Sequence, residues 1–184
     1  MLNFNATQQF DYHWQPLSQA RTDTIPRYLK RWLSEPGSLT ALLESVGKLS
    51  VEVIQDTWGK PTQRERWTLE LRPREAVRVR EVILKVDGLA VIYARTIIPA
   101  KALVGHWRYL SKLKKQSLGG YLFKNKALIR SPIEIALLPK TFFHHIDDDV
   151  WARRSVFKQY NRRVLVSEAF LPSIAQLPIK KQTS

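Results

Sequence analysis

Val77-Arg78-Val79-Arg80-Glu81-Val82-Ile83-Leu84-Lys85-Val86, then Asp87-Gly88, then Leu89-Ala90-Val91-Ile92-Tyr93-Ala94-Arg95-Thr96-Ile97-Ile98 is the stretch on which the fold turns. Two runs rich in β-branched residues flank an Asp-Gly pair, which favours a two-residue hairpin turn because both positions tolerate positive φ. Pro99 ends the second run. A two-residue loop places Val86 opposite Leu89, Leu84 opposite Val91, Val82 opposite Tyr93 and Arg80 opposite Arg95. Side chains alternate, so Arg80 shares a face with Val82, Leu84 and Val86. The expectation is two arginines directly opposed on a largely apolar face. Like charges so placed repel, and a buried guanidinium needs an anion. The plainer alternative is that both heads reach the sheet rim, or pair with structural carboxylates.

The last alternating run supplies a counterpart. Arg163, Leu165, Ser167 and Ala169 share one face; Val164, Val166, Glu168 and Phe170 share the other. Glu168 thus sits in an apolar row, as a carboxylate with a buried partner or a functional one does. An ion pair with a neighbouring arginine is the structural reading. An arginine pair and a lone carboxylate on apolar faces suggest a closed site for an acidic ligand that also carries a hydroxyl.

The flanking segments fill in an α+β order. Ile25, Leu29, Trp32 and Leu33 follow helical spacing behind Thr24 as N-cap. A second short helix runs from Ser38 with Leu39, Leu42, Leu43 and Val46 on one face, closed by Gly47. Val51 and Val53 alternate with polar residues, as do Trp67, Leu69 and Leu71, so both segments are expected to be strands. After Pro99 a helix is expected to bury Leu103, Trp107, Leu110 and Leu113, and Ser117 to cap a short helix with Leu118, Tyr121, Leu122 and Phe123. Residues 127–138 read as a strand bent at Pro132, followed by strands over 151–160 and 162–170. Residues 1–24 are expected to lie on the domain as an irregular arm, residues 25–174 to form one domain, and 175–184 a tail.

Composition narrows the function classes. The 184 residues suffice for one core without disulfides. Cysteine is absent, which removes thiolate chemistry and Cys-type zinc sites and suits a reducing cytoplasm. No apolar run reaches the roughly 20 residues of a membrane span, and Met1-Leu2-Asn3-Phe4-Asn5 does not open a signal peptide. Thirty Lys and Arg against 16 Asp and Glu give a net charge of +14, which attracts nucleic acid, anionic lipid or small acidic metabolites. The charge is dispersed along the chain, which weighs against nucleic acid. His144-His145 with Asp147-Asp148-Asp149 reads as a solvated acidic loop, because adjacent histidines diverge; no metal site is expected. Trp32, Trp67 and Trp107 fall on core stripes, so most of the six Trp read as packing residues and not as base-stacking platforms.

Several segments together resemble the chorismate pyruvate-lyases. They are Val79 to Leu84, Asp87-Gly88, Ala94 to Pro99, Ser117 to Phe123, Arg130 with Ile133-Glu134-Ile135, Trp151 to Ser155, and Ser167 to Pro172. They run in the family's order from about residue 25 to residue 174. The resemblance implies a single α+β domain on a six-stranded antiparallel sheet, with an internal ligand cavity closed by flaps. It implies a cofactor-independent lyase that eliminates pyruvate from chorismate to leave 4-hydroxybenzoate, a precursor for ubiquinone, in a monomeric cytoplasmic enzyme. By the same resemblance Arg80 grips the ring carboxylate and Glu168 meets the ring hydroxyl. Leu39 and Leu118 lie beside the ligand on the two flaps, and Arg95 is a second cationic wall. Leu39 replaces a methionine of the family pattern. Two alternatives accompany this reading: a non-catalytic effector-binding domain of the same general fold, and a nucleic-acid-binding module. The first normally follows a helix-turn-helix domain, for which the residues before 25 are too few.

Overall fold

In the computed structural model, which describes residues 12–123, 127–143 and 146–178, all strands join one antiparallel sheet. They are β1 (Gln15–Pro16), β2 (Leu49–Gly59), β3 (Val77–Val86), β4 (Leu89–Pro99), β5 (Ile129–Arg130), β6 (Glu134–Leu138), β7 (Val150–Gln159) and β8 (Arg162–Phe170). The spatial order is β1-β6-β7-β8-β4-β3-β2, with β5 also beside β7. The sheet therefore has eight strands, not six. The two additions, β1 and β5, are two-residue pieces. β1 comes from the polar N-terminal segment, which docks on β6 with Trp14 buried. β5 is cut off from β6 by Ser131-Pro132-Ile133, where proline cannot donate to a ladder.

The hairpin turn is the expected two-residue one: Asp87 and Gly88 have φ of 50° and 85°, and Val86 pairs Leu89. The register beyond it is not as expected. Lys85 pairs Ala90 but Leu84 pairs Ile92, so Val91 is an extra residue in β4. One inserted residue exchanges the faces of everything that follows. Arg80 stands opposite Thr96, and Arg95 stands opposite Glu81. The two arginines are not a pair; they point to opposite sides of the sheet.

Among the described residues four α-helices accompany the sheet: α1 (Arg27–Ser34), α2 (Leu39–Glu44), α3 (Gln63–Thr68) and α4 (Leu118–Leu122). α1 starts behind Pro26, and the Thr24 hydroxyl donates to the Arg21 carbonyl instead of capping it. Ser38 caps α2 as expected, accepting from the Ala41 amide at 3.2 Å. α3 replaces the strand expected around Trp67. A reciprocal capping box starts it: Thr62 Oγ1 accepts from the Glu65 amide at 3.2 Å, and Glu65 Oε2 accepts from the Thr62 amide at 2.7 Å. Trp67 is consequently 66% exposed, not a core residue, while Leu69 just beyond the helix is buried. The helix expected after Pro99 is formed by two 3-10 segments, 100–102 and 105–112, which still bury Trp107, Leu110 and, just beyond, Leu113.

The core lies on both faces. On one, α1 and α2 pack Leu29, Trp32, Leu33, Leu42 and Leu43 against Val82, Leu84 and Phe170. On the other, Leu69 packs on Val77, Val79, Ile97 and Leu165. No helix among the described residues is long and apolar enough to cross a membrane.

Candidate active site

Pairing across the four central strands sets the floor of a pocket. One row reads Val82, Ala94, Glu168, Arg153, and the next reads Arg80, Thr96, Val166, Ser155. The small residues Ala94 and Thr96, on the middle strand, leave the hollow; Arg80 and Glu168 border it from either side. Two strand spacings and a two-residue step separate their Cα atoms, roughly 12 Å at about 4.8 Å per strand and 3.4 Å per residue. α2 and α4 form the opposite wall with Leu39, Thr40, Leu118, Gly119 and Leu122. The free space is ≈ 50 Å³, room for a few waters.

Arg80 is 2% exposed, and both of its terminal nitrogens are engaged. Its Nη1 donates to Asp56 Oδ2 at 2.8 Å, and its Nη2 to the carbonyls of Lys114 and Gln116 at 2.7 and 3.1 Å. Asp56 also takes Arg78 Nε at 2.5 Å. Arg80 thereby ties the segment leading into α4 to the sheet. Glu168 Oε2 accepts from Arg153 Nε at 2.7 Å, its rung neighbour. Arg153, also 2% exposed, spends Nη1 on the carbonyls of Trp32, Leu33 and Glu35. It lies 5.9 Å from the Phe170 ring centre.

Arg130 completes the cationic lining. Nε donates to Ser155 Oγ at 3.0 Å and Nη1 to the carbonyls of Glu35, Pro36 and Gly37 at 3.2, 2.9 and 3.4 Å. The rings of Phe123 and Phe157 flank it, with centres at 5.8 and 5.5 Å. Burial, and then the charge of Arg153, lower its pKa from the usual guanidinium range to about 10, offset in part by Glu168 and Glu35; it stays charged at neutral pH. Three guanidiniums less one carboxylate leave the lining at a formal +2.

Of the residues singled out from sequence, Arg80, Glu168, Leu39 and Leu118 border this one pocket. Arg95 does not. It lies under the other face, where Glu65 takes its Nε and Nη2 at 2.8 and 3.1 Å and Glu81 takes Nη1 at 2.5 Å. Arg130 and Arg153 escaped residue-level reading although both lay inside motifs of the resemblance. The available signal was alternation: in Arg153-Arg154 one head must face each way, and Arg154 takes the other side with Glu134 at 2.7 Å. His144 and His145 lie outside the described residues, and among those described no cluster suited to a metal ion occurs.

What the fold and pocket define is a class: an antiparallel α+β protein whose pocket chemistry suits a small organic anion bearing a hydroxyl. The fold alone is shared with the effector domain of PhnF from Mycobacterium smegmatis (TM-score 0.52, 15% identity, 74% of this chain and 89% of that one). It is shared as well with the effector-binding domain of the Bacillus subtilis trehalose repressor (TM-score 0.50, 9% identity, 73% and 97%). The chain belongs to the chorismate lyase family, whose model matches residues 11–178. Relatives include the probable chorismate pyruvate-lyases of Methylobacillus flagellatus (37% identity over 83% of this chain and 92% of that protein) and Aromatoleum aromaticum (37%, 84% and 90%).

Proposed function

We propose that the protein is a chorismate pyruvate-lyase, releasing pyruvate from chorismate and leaving 4-hydroxybenzoate, with no cofactor, as a step toward ubiquinone. The observation that carries this reading is the placement of Arg80 and Glu168 on either side of one small hollow. A ring with a carboxylate at one end and a hydroxyl at the other spans it. Arg80 supplies the positive charge for the carboxylate, through the donors that Asp56 and the two carbonyls leave free. Glu168 accepts from the hydroxyl through Oε1, since Arg153 occupies Oε2.

The chemistry asks little more of the protein. The ether bond to the ring breaks, its electron pair leaves with the enolpyruvate oxygen, and the ring carbon bearing the hydroxyl gives up a proton. The ring becomes aromatic, and enolpyruvate takes a proton to become pyruvate. The enzyme holds the dianion in a reactive conformer and stabilises the departing oxygen with cations already in place. α2 and α4 wall the hollow on the side opposite the sheet, so they act as flaps that part to admit chorismate and close over it.

Purified protein mixed with chorismate tests the reading. Equimolar 4-hydroxybenzoate, by absorbance, and pyruvate, by coupled reduction, are the expected products. Tight binding of 4-hydroxybenzoate without turnover of chorismate would instead favour the effector-binding reading, which the shared fold supports.

A further inference from the structure

Among the described residues, the charged groups around the pocket divide into those already matched and one that is not. Arg80 has Asp56 and two carbonyls; Arg153 has Glu168 and three carbonyls. Arg130, among the described residues, is in contact with neutral partners only: a hydroxyl, three carbonyls and two aromatic faces. Among the described residues it makes no ion pair, and its Nη2 makes no hydrogen bond. Keeping a guanidinium inside a largely apolar pocket with carboxylates near it but none in contact is costly. A carboxylate arriving with a ligand would remove that cost.

Position says which carboxylate. The row Arg80, Thr96, Val166, Ser155 crosses the floor, and Arg130 is hydrogen-bonded to Ser155 at its far end. Glu168 lies between the two arginines, on β8. In chorismate the ring carboxylate is opposite the hydroxyl, and the enolpyruvyl ether is on the carbon next to the hydroxyl. With the carboxylate at Arg80 and the hydroxyl at Glu168, the enolpyruvyl arm leaves to one side of that axis, and the side toward Ser155 leads to Arg130.

We propose that Arg130 is the second anion anchor of this site, receiving the enolpyruvyl carboxylate through its unused Nη2 and holding the leaving group while the ether bond breaks. The proposal rests on the chorismate reading above. It also links ligand to flap. Nη1 already grips the turn at 35–37, which leads directly into Ser38 and α2. A carboxylate on Nη2 leaves those bonds in place, so leaving group, guanidinium and covering wall become one network. Discrimination between the dianionic substrate and its monoanionic product follows.

Two ligands separate this role from a structural one: 4-hydroxybenzoate, and 3-carboxymethoxy-4-hydroxybenzoate, a stable aromatic acid with a second carboxylate where the enolpyruvyl carboxylate would be. Arg130→Met should bind 4-hydroxybenzoate within about threefold of wild type, yet lose at least about tenfold in affinity for the dianion, the scale of one charge-assisted hydrogen bond. Its chorismate kcat/KM should fall at least as far. Arg130→Gln keeps donors for the 35–37 carbonyls without the charge and should show the same selective loss even if the Met variant folds poorly. Arg130→Lys should recover part of the dianion preference. Equal losses for both ligands, or none for the dianion, would overturn the assignment and leave Arg130 as a tether of the turn. A wild-type protein that ignores both ligands overturns the chorismate reading itself.

Discussion

Arg153 donates its Nε to Glu168 Oε2 at 2.7 Å across the rung that sets the two residues side by side on β7 and β8. The pair fixes the carboxylate's orientation and leaves Oε1 to the pocket. It also decides what the isosteric variant should do. Glu168→Gln removes the proposed hydroxyl acceptor and at once leaves Arg153, 2% exposed, without its carboxylate. We expect turnover to fall by about 10²–10⁴ and the melting temperature to fall as well, since a buried pair is broken. Single-turnover rates measured well below the variant's melting point separate the two effects. A folded Glu168→Gln protein with wild-type turnover would take Glu168 out of the mechanism.

Arg80→Ala should weaken 4-hydroxybenzoate binding by about 3–5 kcal/mol, the scale of a broken buried charge pair. Its bonds to the Lys114 and Gln116 carbonyls predict a second effect: α4 loses its anchor, so amide exchange over 114–122 should accelerate in the variant. Arg80→Lys cannot serve Asp56, two carbonyls and a ligand together, and should also bind poorly. Wild-type affinity in a folded Arg80→Ala protein would sink the carboxylate assignment.

The hairpin, α2 and the last two strands were legible because each carries a local signal: Asp87-Gly88, Ser38 before an apolar stripe, and strict alternation in 162–170. Val91 was not legible. An inserted valine in a β-rich run looks like any other strand residue, yet it moved Arg95 to the other face. Trp67, Leu69 and Leu71 alternate like a strand, but Thr62 and Glu65 spell the capping box that makes the segment helical. The pocket was half legible. Arg80 and Glu168 stood out as charges in apolar rows, whereas Arg130 owes its place to partners 25 and more than 90 residues away.

Gly119 is where the two covering helices meet. A β-carbon there would stand 2.5 Å from Thr40 Oγ1 and 3.3 Å from Ser38 Oγ, too close to accept without movement. Gly119→Ala should therefore push α4 from α2, raise the 4-hydroxybenzoate dissociation rate and lower affinity by about tenfold. Adding Thr40→Ala removes the offending oxygen and should recover part of the loss, a coupling that a double-mutant cycle detects. Additive effects of the two substitutions would mean that the helices do not close on one another.

The surplus of 14 positive charges should steer a dianion and not bind a polyanion. Raising salt from about 50 to 200 mM should lower chorismate kcat/KM only modestly. A protein making 6–10 phosphate contacts loses about 10³–10⁵ in affinity over that range. Tight, steeply salt-dependent binding to duplex DNA or RNA would reopen the nucleic-acid reading.

Arg95 should matter for stability and not for the ligand. It is held on the far side of the sheet by Glu65 and Glu81, and Glu81 in turn accepts from Gln55 Nε2 at 2.7 Å. Glu65 also closes the capping box of α3, so one buried cluster joins the hairpin to that helix. Arg95→Met leaves two buried carboxylates without their cation, a loss of about 3–5 kcal/mol. At roughly 2–4 °C per kcal/mol for a chain of this size, the melting temperature should drop by about 6–20 °C. Affinity for 4-hydroxybenzoate, measured where the variant is folded, should stay within about threefold of wild type. Converting Glu65 and Glu81 to Gln in the same chain removes the stranded charges and should restore much of the stability, since neutral replacement of a whole buried cluster is tolerated far better than removal of one member. The opposite pattern, an unchanged melting temperature with lost ligand affinity, would return Arg95 to the pocket as the second cationic wall and overturn the register that Val91 imposes.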